Sequence, residues 1–260
     1  MKPALLHTAG LARRSLISIR REPLAWFPSL FFPLMLLAIF TGSFGQAPGR
    51  IPGFPPVRGF LDFAVAGSVL QAALLIGTVA GTAMARDIEG GFFDRLILSP
   101  VSRLSILLGH LTGAVVLAVA LGAFFMAVAV GFGARVDGGL PGALLVLLIS
   151  ALLAIGMGGL GLFLALRTGS SEAVQGAFPL FFILLFFSSA YFPRETMDGW
   201  FRTVADVNPI SHLVEGMRAE IVEGITTGSA LAGIAAGAGL SAVTLAASAA
   251  ALRRRLRGDA

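Results

Sequence analysis

Residues 104–132 read LSILLGHLTGAVVLAVALGAFFMAVAVGF, and His110 is the single ionisable side chain among them. About 20 apolar residues in an α-helix are enough to cross the hydrocarbon core of a bilayer. This stretch therefore predicts a membrane-spanning helix. Working outward from it, five more apolar runs of similar length cover residues 24–44, 62–85, 140–166, 173–192 and 228–252.

The overall composition supports the same fold class. Hydrophobic residues make up 56% of the 260-residue chain and charged residues only 13%, whereas a soluble domain carries about 25% charged residues. Too few charges remain to cover a surface that faces water. The sequence therefore predicts an all-α integral membrane protein with six transmembrane helices.

The basic residues are distributed unevenly between the predicted loops. With the N-terminus placed inside, 13 of the 19 lysines and arginines are cytoplasmic and 6 are external. The external ones are Arg50, Arg58, Arg135, Arg194, Arg202 and Arg218. Because basic loops stay on the cytoplasmic side, the pattern predicts that both termini are cytoplasmic in a bacterial or archaeal cytoplasmic membrane.

The first residues form a separate segment. Leu5, Ala9, Ala12, Leu16 and Ile19 recur at spacings of three and four, which places them on one face of a helix. The pattern predicts a helix over residues 4–21 that lies in the cytoplasmic interface near membrane lipid, with a solvated tail as the alternative. We divide the chain into this N-terminal segment, residues 1–23, and one six-helix domain, residues 24–260.

Glycines four residues apart occur in three of the runs. Small residues at this spacing allow two helix backbones to approach closely. The pattern predicts helix contacts at these pairs, although glycine is also simply abundant here, with 33 residues. The pairs are Gly77 with Gly81, Gly109 with Gly113, and Gly233 with Gly237.

Several function classes lack the residues that they need. Lys2 is the only lysine, so the chain has no phosphate-binding loop for ATP hydrolysis. The spans are almost free of ionisable groups that could couple transport to ions, and His110 is expected to be a packed or interfacial group. No nucleophile and base pair, no metal-ligand set and no basic patch with interleaved aromatics for nucleic acid is evident. We therefore expect a non-enzymatic chain that draws energy from a partner.

The loop after the second run has an amphipathic pattern. Treated as a helix over residues 87–98, it places its apolar side chains on one half of the surface, with Glu89 as an exception. Gly90 and Gly91 would each cost about 1 kcal/mol in a helix interior, so a surface is expected to order the segment. The pattern predicts a docking element; the alternative is a solvated loop with a few anchoring aromatics.

The connection over residues 193–227 is long and also amphipathic. Leu213 and Met217 belong to an apolar stripe with period three to four, and Asn208-Pro209 is a natural start for that helix. Charges at Glu215 and beyond exclude a full span. The pattern predicts a helix that dips into the outer leaflet and gates the outer mouth of a pathway.

Residues 86–96, RDIEGGFFDRL, and 99–103, SPVSR, resemble the signature loop of ABC-2 type permeases, the membrane subunits of ABC exporters for drugs, polysaccharides or lipids. Residues 208–218, NPISHLVEGMR, are similar to the asparagine–proline segment that precedes the family's last span, and Trp200 fits its outer region. The resemblance covers essentially the whole chain in order. Asp94 stands where the family often has glutamate, and Gly199 precedes Trp200 where proline is common.

The resemblance implies an N-terminal interfacial helix, a cytoplasmic coupling helix and an outer re-entrant helical hairpin before the last span. It also implies two copies of an ABC ATPase subunit, which bind ATP and Mg²⁺ themselves, and a second permease subunit in a homodimer or heterodimer. No cofactor is expected on this chain. A non-transporting membrane scaffold or immunity protein is the alternative. The implied ATPase-coupling residues are Asp87, Ile88, Glu89, Gly91, Phe92, Phe93, Asp94, Arg95 and Leu96. The expected outer-gate residues are Trp200, Asn208, Pro209, Leu213, Glu215 and Met217.

Overall fold

The computed structural model describes residues 2–52, 54–225 and 227–257, and these residues form helices and connections without a β-strand. The α-helices, in chain order, are α1 Lys2–Arg21, α2 Pro23–Phe44, α3 Phe60–Glu89, α4 Phe92–Ile97, α5 Arg103–Gly131, α6 Gly139–Thr168, α7 Ser171–Gly176, α8 Phe178–Phe186, α9 Gly199–Val207, α10 Pro209–Val222 and α11 Thr227–Arg257.

Within the described residues, five helices are long and apolar enough to cross a membrane, namely α2, α3, α5, α6 and α11. They coincide with the predicted runs at residues 24–44, 62–85, 104–132, 140–166 and 228–252. The multi-span helical class predicted from the sequence is therefore confirmed.

The remaining predicted span, residues 173–192, has a different form. It folds as α7 and α8, of 6 and 9 residues. Pro179 lies in the first turn of α8, where its missing N–H leaves no hydrogen bond unmade. Residues 187–192 are turns and bends that continue neither helix. Because no single described helix of spanning length covers this run, the count of six spans stays a prediction.

Helix α3 lies at the centre of the bundle, since 89% of its most apolar window is buried, against 17% for α2. It packs closely on α6 through small residues. A Cβ on Gly81 would lie 2.6 Å from the carbonyl carbon of Gly161. The predicted glycine contact at Gly77 and Gly81 is therefore confirmed, and the backbones could not approach so closely with larger residues.

Helix α1 packs along α5 rather than extending into solvent. Gly109 and Gly113 receive Leu11, Ser15 and Ile19, and a Cβ on Gly113 would meet the side chain of Ile19 at 2.9 Å. The predicted apolar stripe is divided, because Ile19 packs on α5 whereas Ala9 and Leu16 are exposed. Helix α1 therefore uses one face for protein contact and presents another, partly apolar, face outward.

An elbow between α1 and α2 is fixed by a side chain. The indole Nε1 of Trp26 donates to the carbonyl oxygen of Ile19 at 2.9 Å. This bond satisfies one of the four carbonyls that the end of α1 leaves without a helical partner. The elbow thus has a defined angle, which positions α1 against the bundle.

Candidate functional site

The predicted coupling segment is two helices rather than one. Asp87, Ile88 and Glu89 form the last turn of α3, and α4 begins at Phe92. Gly91 between them has φ +68°, in the left-handed region that favours glycine. The expectation of one helix over residues 87–98 is therefore wrong, because the two glycines turn the chain where a helix would have continued.

Asp87 is the centre of a buried charge cluster. Its carboxylate accepts hydrogen bonds from both terminal nitrogens of the Arg14 guanidinium, in α1, and lies 3.0 Å from Nε2 of His110, in α5. The other ring nitrogen of His110 lies 2.8 Å from the carbonyl oxygen of Ile106. Asp87 is only 7% exposed, so a buried carboxylate joins three helices and breaking the cluster would leave a charge uncompensated. His110 is thus a packed group, as expected.

Two further contacts tie this segment to the bundle. Glu89 accepts from the backbone nitrogen of Ser171 at 2.6 Å and from its hydroxyl at 3.1 Å, at the start of α7. On α4, Phe93 is 1% exposed and its ring lies 5.9 Å from the guanidinium carbon of Arg255, in α11. Together with Asp87, these contacts connect the segment to α1, α5, α7 and α11.

The outward face of α4 remains uncovered. Phe92 has the Arg14 guanidinium 4.2 Å from its ring centroid, yet it is 37% exposed. Leu98, directly after α4, is 87% exposed, and Ile97 is also exposed. The exposed charged residues Asp94 and Arg95 border these side chains, whereas Phe93 and Leu96 face inward. Exposed apolar groups with a polar border are typical of a protein interface.

Away from α4, Asn208 joins α8 to α10. Its amide nitrogen donates to the carbonyl oxygens of Leu184 at 2.7 Å and Phe187 at 3.0 Å, at the end of α8. Its carbonyl oxygen accepts from the backbone nitrogen of Ile210, which caps α10. Pro209 occupies the first turn of α10, as expected. The asparagine–proline pair therefore fastens the end of α8 to the beginning of α10.

Glu215 lies on α10 and is held by the chain before α9. Its carboxylate accepts from Nε of Arg194 at 2.9 Å, from a terminal nitrogen of Arg194 at 2.7 Å and from the hydroxyl of Ser189 at 2.7 Å. Trp200, on α9, is 68% exposed, and its ring centroid lies 6.0 Å from that of Phe187 in a tilted arrangement. The structure thus brings Trp200, Asn208 and Glu215 around the turn that follows α8.

Two predicted gate residues belong to the interior of the bundle. Leu213 and Met217 are both 0% exposed. Helix α10 approaches α11 so closely that a Cβ on Gly216 would lie 2.9 Å from Cα of Gly233. A charge introduced at either buried position would destabilise the fold itself, so such a variant would not report on gating alone.

Sequence reasoning missed Arg218 as a structural centre. It is 8% exposed, and its guanidinium donates to the carbonyl oxygens of Ser189 at 2.9 Å and Ala190 at 3.1 Å. Its guanidinium carbon lies 3.7 Å from the ring centroid of Phe63, in α3. Burial lowers the pKa of Arg218 to about 10, which still leaves it charged at neutral pH. Its burial could have been inferred from its position, because Arg218 lies four residues after Val214 and therefore on the apolar stripe of the predicted helix.

Glu220 is a second unforeseen buried group. It is 0% exposed, and neither carboxylate oxygen has a hydrogen-bond partner among the described residues. Its backbone carbonyl accepts from the backbone nitrogen of Gly138 at 3.1 Å, at the start of α6. Burial raises the pKa of this carboxyl, because the charged form has lost its water.

No group of three or more histidine or acidic residues that could hold a metal ion occurs among the described residues, and the chain has no cysteine. The contacts around Asp87 and those around Glu215 and Arg218 are ion pairs and hydrogen bonds that join helices to one another or to the adjoining connections. Their role is to hold the helices in fixed positions.

The chain matches known proteins over most of its length. It matches the family described as ABC-2 type transporter over residues 8–222. It is 31% identical over 214 residues, 81% of this chain and 73% of the relative, to the daunorubicin resistance ABC transporter permease protein DrrB1 of Streptomyces coeruleorubidus. It is 28% identical over 80% of this chain and 71% of the relative to a protein named "Putative transport permease ycf38" in Cyanophora paradoxa.

A third relative is much longer than this chain. ABC transporter G family member 20 of Dictyostelium discoideum is 26% identical over 65% of this chain, which corresponds to 23% of that protein. The family match covers both the segment around α4 and all of α10. The chain therefore belongs to the ABC-2 type transporter family and is a transport permease.

Proposed function

We propose that this chain is the membrane subunit of an ABC exporter, which moves a hydrophobic or amphipathic substrate outward, driven by a separate ATPase. The exposed face of α4, formed by Phe92, Ile97 and Leu98, carries the proposal. This face is apolar, yet it lies at the end of α3 beside the exposed charged side chains Arg86, Asp94 and Arg95. An ATPase subunit docked there would bury it.

The contacts around α4 support a route for movement into the membrane domain. Displacement of α4 would pull on Asp87, and through Arg14 and His110 on α1 and α5. Glu89 would carry it to α7 through Ser171. This chain of contacts supports a route by which movement of α4 would reach α1, α5 and α7.

The far end of the same route is the outer hairpin, α9 and α10. Helix α8 continues from α7, and Asn208 fastens its end to α10. Leu213 lies beside Gly237, whereas Gly216 lies beside Gly233, nearer the beginning of α11. Helix α10 therefore runs antiparallel to α11, with Asn208 at its deeper end. This arrangement supports a re-entrant hairpin that gates release at the outer mouth.

The oligomer is part of the proposal. Two copies of the ATPase would bind two permease subunits, identical or different, and each ATPase would hold its own ATP and Mg²⁺. The family of this chain normally works with such a partner. The substrate class is proposed from the apolar spans, which offer few polar groups for a sugar or an ion, and from the resistance named for the Streptomyces relative.

The topology can be tested directly, because the chain contains no cysteine that would react in the background. Cysteines introduced at Gly49 and Gly199, which are both exposed, should react with an impermeant thiol reagent from outside intact cells. Cysteines at Gly90 and Gly169 should react only after the cells are opened. Labelling of Gly90 from outside would overturn the proposed orientation and the cytoplasmic placement of both termini.

Export itself needs a functional test. The chain and its ATPase are reconstituted in proteoliposomes, and ATP-dependent movement of daunorubicin and of a fluorescent phospholipid is followed. Movement that requires both subunits supports the exporter. An intact complex with neither ATP-dependent movement nor substrate-stimulated hydrolysis would favour the alternative of a scaffold or immunity protein.

A further inference from the structure

A cavity of about 520 Å³ lies between α1, α2, α3 and α5, beside the elbow. Its volume falls in the range of about 300–1,000 Å³ that is usual for small-molecule sites. Neither the family match nor the proposed docking of the ATPase at α4 assigns a role to this cavity. Its lining contains charged, hydroxyl and aromatic side chains, so it is more than a gap in apolar packing.

The charged side chains of the lining are grouped at one end of the cavity, whereas hydroxyl groups such as those of Ser29 and Thr78 also occur among the apolar side chains. Arg14, Glu22, Arg86 and Asp87 lie at one end of the cavity, where α2 begins and α3 ends. Leu75 and its neighbours lie at the other end. From Arg86 to Leu75 the helix rises about 16 Å, roughly half of a ~30 Å hydrocarbon core. The cavity therefore runs from the level of lipid headgroups into one leaflet.

The apolar part of the lining offers a path for an acyl chain. It is bordered by Trp26 and Phe32 of α2 and by Leu75 and Val79 of α3. The most apolar stretch of α2 is only 17% buried, so this side of the cavity adjoins the bilayer. A chain of a bilayer lipid could lie there without leaving its leaflet.

The hydrogen-bond partners at the polar end indicate which headgroup fits. Both oxygens of Asp87 accept from Arg14, and one of them also faces His110. Both oxygens of Glu22 are also occupied, by Arg86 and by Ser18 at 3.2 Å. The acidic groups are thus fully paired within the described residues.

The N–H donors of the basic side chains are only partly occupied. A guanidinium has five N–H donors, and hydrogen bonds to described residues occupy two nitrogens of Arg14 and one of Arg86. Both side chains are about half exposed. The arginines therefore have N–H donors that remain available, whereas the carboxylate oxygens are occupied. This arrangement favours a ligand with anionic oxygen atoms. Phosphate is such a ligand, and arginine pairs well with it.

We propose that this cavity binds a membrane glycerophospholipid, with its phosphate between Arg14 and Arg86 and one acyl chain between α2 and α3. In the proposed orientation the lipid belongs to the cytoplasmic leaflet. It would bridge the elbow, the end of α3 and the Asp87 cluster, and so adjust how firmly α1 is held against the bundle. The proposal depends on the membrane placement of α2 and α3, and it does not require that the chain exports anything.

The test uses the full chain, purified in detergent and depleted of lipid. Thermal unfolding is measured while dioleoyl phosphatidylglycerol, dioleoylglycerol or inorganic phosphate is titrated in. Because a ligand that binds the folded state raises its stability, the phospholipid should raise the unfolding temperature saturably. Dioleoylglycerol, which lacks the phosphate, and inorganic phosphate, which lacks the chains, should each bind at least about tenfold more weakly.

Two variants and a control locate the site. Arg86→Gln should weaken phospholipid binding about tenfold, since one charge-assisted contact is lost. Ala83→Phe fills the cavity and should weaken it more. Arg20→Gln removes an exposed arginine of α1 that does not line the cavity, and it should bind like the wild type.

Several results would overturn the proposal. Equal stabilisation by dioleoylglycerol would eliminate the phosphate contact, and equal stabilisation by inorganic phosphate would show a simple anion site. Unchanged phospholipid affinity in Arg86→Gln would place the lipid elsewhere, even if Ala83→Phe fails to fold. Because none of these readouts involves the ATPase or transport, failure here would leave the proposed export untouched.

Discussion

Phe92 and Phe93 are adjacent and chemically identical, yet the structure places them in opposite environments. Phe93 is 1% exposed and packs inside the bundle beside Arg255, whereas Phe92 is 37% exposed on the outward face of α4. Replacing each with alanine in turn separates folding from ATPase docking. Each variant serves as the matched control for the other.

The magnitudes follow from burial. Phe93→Ala removes a fully buried ring and leaves a cavity, which costs about 3–5 kcal/mol of unfolding free energy. Phe92→Ala loses mainly its contact with the Arg14 guanidinium, about 0.5–1 kcal/mol. If Phe92 anchors the ATPase, its loss costs about 2 kcal/mol of binding, or roughly a 30-fold higher Kd.

Two assays decide the outcome. Thermal unfolding of the purified chain should show a large decrease for Phe93→Ala and little change for Phe92→Ala. Binding of the purified ATPase to the chain in nanodiscs should be weakened by Phe92→Ala. It should change little in the folded fraction of Phe93→Ala. The reasoning would be refuted if Phe92→Ala bound the ATPase normally while a stably folded Phe93→Ala did not.

Three further perturbations test other contacts. Asn208→Ala should lower the unfolding free energy by about 2–4 kcal/mol, because two carbonyls and the cap of α10 lose partners; Asn208→Ser, which keeps a capping oxygen, should recover about 1 kcal/mol in denaturant titrations. Glu220→Gln should raise the unfolding temperature at pH 8 and change it little at pH 4. Burial raises the folded pKa of Glu220, so its stabilising contribution is present below the unfolded pKa and lost as pH rises through the folded pKa; Glu223→Gln, at an exposed position, is the matched control. Asp87→Asn should lower the coupling of ATP hydrolysis to transport, measured as substrate moved per ATP, because Arg14 and His110 lose their shared charge; unchanged coupling would contradict the proposed route.

The long spans could be predicted from sequence because hydropathy over about 20 residues is a local property. Helices α2, α3, α5, α6 and α11 needed no knowledge of their neighbours. Gly90 and Gly91 are poor helix formers, yet their low helix propensity predicted only a helix that a surface would have to order. That they separate α4 from α3 was not predicted, because helix propensity alone does not fix where a chain turns.

The broken run before the outer hairpin shows what propensity leaves open. Residues 181–186 are apolar and helical, yet α8 ends at Phe186, within the predicted span of residues 173–192. Its last carbonyls bond to Asn208, more than twenty residues later in the chain. A helix end stabilised by a distant side chain has no signal in the local sequence.

The sequence by itself determined the membrane class, the positions of the long helices and the two segments that carry the family resemblance. It did so because apolar length and glycine or proline content act locally. Only the tertiary structure decided which side of each amphipathic segment is free. Leu213, Met217 and Arg218 lie on one stripe of α10, and all three are buried. Helices α3, α6 and α11 enclose this face of α10. Periodicity alone would have assigned the same face to lipid or to a pathway. Periodicity shows that two faces differ, and the neighbouring helices determine what each face meets.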